Sequence, residues 1–193
     1  EIIPDKQEYK SIFIPNDLLK GAVPGHKVLV KPFNEGKEYV GEITKIIGHK
    51  NDPGVDILSI VYSHDIDDVF SDEVKEELKS IPTEVKEEEK VGRRDLTNEM
   101  IFTIDGDDTK DIDDAISIEE LDNGNYKLGV HIADVSYYVK EGSEIDKAAM
   151  ERGTSVYLVD RVIPMLPHQL SNGICSLNPE VERLSVSCVM EID

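Results

Sequence analysis

The segment that most constrains this chain is TIDGDDTKDIDDA, Thr103 to Ala115, where Asp105, Asp111, Asp113 and Asp114 follow the pattern D-x5-D-x-D-D. Carboxylates spaced this densely repel one another and raise each other's pKa unless cations compensate. The run therefore reads as a loop between two apolar strands, Ile101 to Ile104 and Ala115 to Leu121. Hard oxygen ligands suit Mg²⁺ and Mn²⁺, and Mg²⁺ is typically held by one or two carboxylates, with waters and substrate phosphates filling the remaining positions. Such a loop is a candidate place to bring a phosphodiester to metal, where two ions about 3.5–4 Å apart would activate a water and stabilise the leaving oxygen. Two plainer readings stand beside this one. An acidic loop is most often a solvated turn. A calcium-binding EF-hand loop fails on spacing, because the sixth position from Asp105 is Lys110 instead of Gly and the twelfth is Ile116 instead of Glu.

The rest of the chain supplies elements around that loop. SIFIP (Ser11 to Pro15) alternates, Lys27 to Phe33 follows a Pro24-Gly25 turn, and Glu38 to Gly48 follows Asn34-Glu35-Gly36. Asp52 can cap a helix with Pro53 at its first position, running to about Ser63. Short strands with turns and one small helix suit an OB-type barrel, and an SH3-like barrel reads similarly. A second helix is expected from Ser71, with Asp72 and Glu73 in its first turn, Val74, Leu78 and Ile81 on one face and Pro82 as its stop. The charged stretch Lys86 to Arg94 reads as a solvated linker, which places a domain boundary near residue 90. Asp122-Asn123-Gly124 turns the chain into a strand from Tyr126 to Ile132. Ser143 caps a helix carrying Asp146 at the capping-box position and stopping at Gly153. Leu184, Val186, Cys188, Met190 and Ile192 alternate as a half-buried strand, whose exposed edge near Ile192 predicts self-association.

Bulk properties narrow the classes. A length of 193 residues suffices for one ordinary domain or two small ones. No apolar run approaches the roughly 18–20 residues that cross a bilayer, so no membrane is expected. Neither a signal peptide nor an initiator Met is present, and a piece of a longer cytoplasmic protein is expected. Cys175 and Cys188 lack C-x-x-C spacing and read as buried thiols in a reducing compartment. The net charge of −20 opposes nucleic-acid binding by the usual rule that phosphate contacts dominate affinity. The acidity is unevenly placed, however. Residues 1–63 carry 8 basic and 9 acidic side chains, whereas 100–193 carry 7 and 19. A divalent ion would neutralise part of the latter.

Several motifs in order then carry a resemblance. RDLTNEMIFTIDGDDTKDIDDA, VHIADVSYYV, RGTSVY and VIPMLPHQLSNGICSLNP, from Arg94 onward, resemble the catalytic RNB domain of the ribonuclease II and ribonuclease R family. GTSVY and CSLNP lie nearer the ribonuclease R branch. IIPD through IFIPNDLLKGAVPG resembles the second cold-shock domain that precedes the catalytic domain there. The implied fold class is α+β, mostly β. It comprises a small OB-fold, cold-shock-like β-barrel over 1–70, a helix and charged linker over 71–93, and an incomplete mixed α/β RNB domain over 94–193.

The resemblance implies processive 3′→5′ hydrolysis of RNA to nucleoside 5′-monophosphates with Mg²⁺, or Mn²⁺, as cofactor. The implied partner is single-stranded RNA or the 3′ end of structured RNA, and the implied parent protein is monomeric. Asp105 and Asp114 would be the more direct metal ligands, Asp111 a support, and Asp113 both a ligand and the carboxylate most needed for the chemical step. Tyr157 would stack near the 3′-terminal nucleotide; from its residue type alone it reads as a core or strand aromatic. The resemblance also places the rest of the catalytic domain, an RNA-binding OB domain and a catalytic arginine beyond Asp193, so the chain alone is expected to be inactive. The alternative from another class is a non-catalytic OB-type module binding RNA or protein.

Other polar residues carry less. His131 and Asp134 are expected to shape the site by hydrogen bonding. Arg183 suits either a phosphate contact or a structural ion pair. Pro164, Pro167 and Pro179 fix turns. His26, His49, His64 and His168 have no mutual spacing, and the Asp65, Asp67, Asp68 run reads as a solvated helix approach.

Overall fold

The computed structural model describes residues 1–6, 10–35 and 38–193. The chain divides into two compact units, Glu1–Asp68 and Val69–Asp193.

In the first unit, β1 (His26–Glu35) and β2 (Glu38–His49) form a long antiparallel ladder. Register irregularities fall at Lys27/Val28 and Leu29/Val30. Ile12 and Phe13, from the alternating SIFIP segment, add only single bridges, to Ile2 and Val40. Gly36 of the expected turn lies outside the described residues. A Cβ at Gly41 would stand 2.7 Å from a Val30 methyl and 3.0 Å from Ile12, so glycine there lets the bridging segment close onto the ladder. Ile14, Val40, Ile43, Val55 and Val61 make the core, completed by α1 (Val55–Ser63).

Asp52 does not cap that helix. Gly54 occupies the cap position in the left-handed region at φ 79°, while the Asp52 carboxylate accepts the His49 N–H at 3.0 Å and closes the turn after β2. The expected helix start thus moves from Pro53 to Val55. The ladder also opposes His26 to His49, whose rings meet edge-on at 6.3 Å, a proximity that sequence spacing did not reveal. Asp68 is no mere solvated approach either. It accepts from Lys45 at 3.0 Å and from the Tyr62 hydroxyl; burial works against its ionised form, but these donors prevail and lower its pKa.

The second unit begins with α2 (Asp72–Leu78), capped by Ser71 Oγ on the Val74 N–H. Val74 and Ile81 are buried and Leu78 packs beside them, on the face the spacing predicts. The expected solvated linker is solvated only in part. Glu87 and Glu88 are exposed, but Glu89 is buried, accepting the Lys86 N–H at 2.8 Å and the Tyr138 hydroxyl at 3.2 Å. Arg93 pairs with Asp134 at 2.6 Å. Residue 90, the expected boundary, therefore falls inside this unit, because these two charged side chains find buried partners in it.

An antiparallel sheet follows, in the order β3 (Ile101–Phe102), β4 (Asp114–Glu120), β5 (Tyr126–Ala133), β8 (Ser185–Ile192). Gly124, at φ 86°, supplies the left-handed residue of the β4–β5 turn. Between β5 and β8 come α3 (Val135–Tyr138), α4 (Glu144–Arg152), the short pair β6 (Val156–Tyr157) and β7 (Val162–Ile163), and a π-helical turn, Leu170–Ile174. Ser143 Oγ accepts the Asp146 N–H at 3.1 Å, and Gly153 ends α4 at φ 72°. The Asp146 carboxylate reaches back one residue further than a capping box requires, to Gly142 N–H at 2.8 Å. Val74, Ile145, Leu170, Ile174, Cys175 and Leu184 form the core of the unit.

The sheet departs from expectation in which face is inside. Gly129, His131 and Ala133 of β5 are buried, whereas Ile132 is 46% exposed. Ile118, Val186, Met190 and Ile192 lie toward that same open face, which no described element covers. The strand predicted as half-buried is thus largely exposed, and Cys188 with it; only Cys175 is a buried thiol. Among the described residues no helix is long and apolar enough to cross a membrane.

Candidate metal and RNA site

The acidic segment leaves β3, turns at Gly106–Thr109 with a 3.0 Å backbone bond, and enters β4 at Asp114. From Asp105 to Asp113 it is neither helix nor strand. Its end is nonetheless rigidly held. Ile112, between the acids, is buried and anchors the loop in the apolar interior. The Ile112 carbonyl accepts the Leu177 N–H at 2.8 Å, and the Asp113 carbonyl accepts the Ala133 N–H at 3.0 Å. Asp114 opens the β4–β5 ladder opposite Ile132.

These constraints gather like charges. The pKa of Asp113 is raised, first by desolvation and then by the carboxylates of Asp111, Asp114 and Asp105. Tyr157 arrives from β6 and donates its hydroxyl to an Asp111 carboxylate oxygen. That bond, helped by desolvation and the Asp111 and Asp113 charges, pushes the phenol up to about 12. The Tyr157 side chain is otherwise open, with the residue 65% exposed, so it is not a core aromatic. The structure therefore brings all four predicted acids and Tyr157 into one neighbourhood.

The donor set is all oxygen and carries excess negative charge, which suits a hard divalent cation. Among the described residues, however, no three His, Cys, Asp or Glu side chains form a ready cage. An ion there would take one or two carboxylates and complete its shell with water and phosphate oxygen, the arrangement Mg²⁺ prefers.

Around this loop, His131 is buried and bonded on both sides, to Ser117 Oγ at 3.1 Å and Ser187 Oγ at 2.8 Å. Asp134 accepts from Arg93 and, at 2.9 Å, from Ser136. Burial works against its ionised form, but these donors outweigh it and lower its pKa. Both residues are thus satisfied by hydrogen bonds, and none of these partners is one of the four acids or Tyr157. Arg183 forms no ion pair among the described residues: its Nε donates to the Ser176 carbonyl at 2.9 Å and its Nη1 to the Glu182 carbonyl. Sequence reading passed over Ser176, which is fully buried beneath the loop, and Arg93. No local signal marks either; only the position of Ser176 inside the CSLNP motif hinted at a function.

Comparison with known proteins gives concordant results. Residues 93–193 match the RNB domain family, and residues 2–71 match the cold shock domain family. The chain is 52% identical over 188 residues to ribonuclease R 1 of Lactococcus lactis, covering 94% of this chain and 23% of that protein. It superposes on the structure of Mycoplasma genitalium RNase R in complex with double-stranded RNA with a TM-score of 0.84. That likeness has 31% identity and covers 96% of this chain and 34% of the other. Yeast Ssd1, described as a pseudonuclease, gives a TM-score of 0.71 at 22% identity, covering 99% of this chain and 25% of that one; this is a likeness of fold alone. The chain spans about a quarter of the length of the curated relatives it matches.

Proposed function

The chain belongs to the RNB-domain family, and from that premise we propose that it is the cold-shock and metal-loop portion of a 3′→5′ exoribonuclease. This enzyme would hydrolyse RNA, single-stranded or at the 3′ end of a structured molecule, to nucleoside 5′-monophosphates. The observation that carries the reading is the raised pKa of Asp113, surrounded by three further carboxylates and beside an open tyrosine ring. A carboxylate surrounded by like charge is held at a functional site more often than on a plain surface.

Asp105, Asp111, Asp113 and Asp114 would hold Mg²⁺ or Mn²⁺. Bound there, the cation would supply charge neutralisation at the scissile phosphate and an activated water for in-line displacement. The chain's own residues do the positioning. Tyr157 holds the Asp111 carboxylate through its hydroxyl while its ring presents a face for the terminal base. Stacking accepts any base, as unspecific degradation requires. Asp113, whose ionised form is disfavoured by its surroundings, is the group suited to hold or pass a proton as the phosphodiester opens.

A binding module without hydrolysis is the second reading, favoured by the lack of a three-carboxylate cage among the described residues, though the net charge of −20 speaks against RNA as its partner. One experiment separates the two. RNA with a free or blocked 3′ end is given to the protein containing this chain, with and without Mg²⁺. Metal-dependent release of 5′-monophosphates from the free 3′ end alone supports the exoribonuclease. RNA that is bound but left intact under all conditions sinks it in favour of the module.

A further inference from the structure

We propose that Ser176 is a positioning residue that sets the carboxylate spacing of the metal loop by clamping the backbone on both sides of Asp111. The inference rests on the exoribonuclease reading above. Ser176 is fully buried. Its Oγ donates to the Lys110 carbonyl at 2.8 Å and accepts the Ile112 N–H at 3.0 Å. One hydroxyl thus closes a bridge across Asp111, using its single proton in one direction and a lone pair in the other. The next residue adds a third tie, Leu177 N–H to the Ile112 carbonyl. Arg183 backs the clamp from behind by donating Nε to the Ser176 carbonyl.

This arrangement explains a problem that the loop poses. Carboxylates in one neighbourhood push apart when no cation is bound, and the single Lys110 of the segment cannot balance its six aspartates. The Ser176 bridge resists that movement from a segment 64–66 residues away in sequence, fixing the backbone that carries Asp111. With Asp113 held separately through Ala133, the two side chains keep their relation before any ion arrives. Such groups behind ligands are the kind whose loss weakens metal affinity or activity by roughly 10- to 100-fold.

The test uses the protein containing this chain, in wild-type, Ser176→Ala, Arg183→Lys and Ser143→Ala forms. Ser143→Ala removes a helix cap in the same unit and serves as a control for general destabilisation. Two quantities are read: the Mg²⁺ concentration giving half-maximal hydrolysis, and direct Mn²⁺ binding by electron paramagnetic resonance. Ser176→Ala should raise both midpoints by about 10-fold or more. Arg183→Lys should move them less but in the same direction, and it carries the test should Ser176→Ala fail to fold. RNA affinity without metal should stay unchanged. If the midpoints of the folded Ser176 or Arg183 variants equal those of wild type, or move only as far as those of Ser143→Ala, the clamp is refuted. A wild type that binds no Mn²⁺ and hydrolyses nothing would overturn the exoribonuclease reading, and the clamp with it.

Discussion

Gly129→Ala is the most searching perturbation of the sheet that carries the metal loop. Gly129 lies on β5 between Ser117 and His131, and an added Cβ would stand 2.4 Å from Ser117 Oγ and 2.8 Å from His131 Nε2. Neither approach is tolerable, so a side chain must move, and the Ser117 hydroxyl is the freer group. Its movement breaks the 3.1 Å bond to His131, a side chain only 3% exposed. Leaving a buried ring nitrogen unsatisfied costs about 1–3 kcal/mol. Alanine returns roughly 0.5–1 kcal/mol by relieving the conformational entropy of a strand glycine. At central values the unsatisfied nitrogen prevails, for a net loss of about 1 kcal/mol. Thermal unfolding should register this as roughly 4 °C for each kcal/mol in a unit of this size. A cycle with Ser117→Ala isolates the cause. Once the hydroxyl is gone, the nitrogen is already unpaired, so the double variant should cost clearly less than the sum of the singles. Strict additivity, or a Gly129→Ala variant as stable as wild type, would refute the argument.

Further outcomes follow from named residues. Asp113→Asn should abolish hydrolysis and spare RNA binding, measured by product release and filter binding. Because the ionised form of Asp113 is disfavoured in the fold, metal-free stability should fall as pH rises through its raised pKa, and Asp113→Asn should flatten that slope. Arg93→Ala strands the Asp134 carboxylate and should cost roughly 2–4 kcal/mol in urea unfolding at neutral pH, below the fully buried range because Arg93 is 28% exposed. The folded pKa of Asp134 is depressed, so this contribution is present above the unfolded pKa and should vanish as pH falls through the folded one. Tyr157→Phe should keep RNA affinity and remove the phenol titrating at about pH 12 in ultraviolet absorbance, while Tyr157→Ala should lose about 1–3 kcal/mol of stacking. The isolated chain should self-associate in light scattering through its open sheet face, and Ile132→Lys with Met190→Lys should return it to monomer.

Much of this protein is written in contiguous residues. Ser71, Ser143 and Gly153 bound their helices where the sequence places them, since capping depends on a side chain and backbone groups within three or four positions. The D-x5-D-x-D-D run reads as a loop and is one as far as Asp113, with Asp114 already opening β4. Where local competition existed, the sequence was ambiguous: Asp52 had two amide donors in reach and took His49 instead of a helix terminus. Glu89 reads as solvated charge until Tyr138, 49 residues on, supplies a buried donor.

The sequence alone determined the alternation along β5 and β8, because successive side chains of any strand point to opposite faces. It did not determine which face would be covered. Period-two patterning places Ile132 and Met190 inside, yet the covered face is the one with Gly129, His131 and Ala133. Burial depends on what else packs against the sheet, and that comes from residues distant in the chain. The same holds for the site. Four aspartates announce themselves by spacing, but their relative placement rests on Ser176, Ala133 and Tyr157, which meet the loop only when the chain has folded.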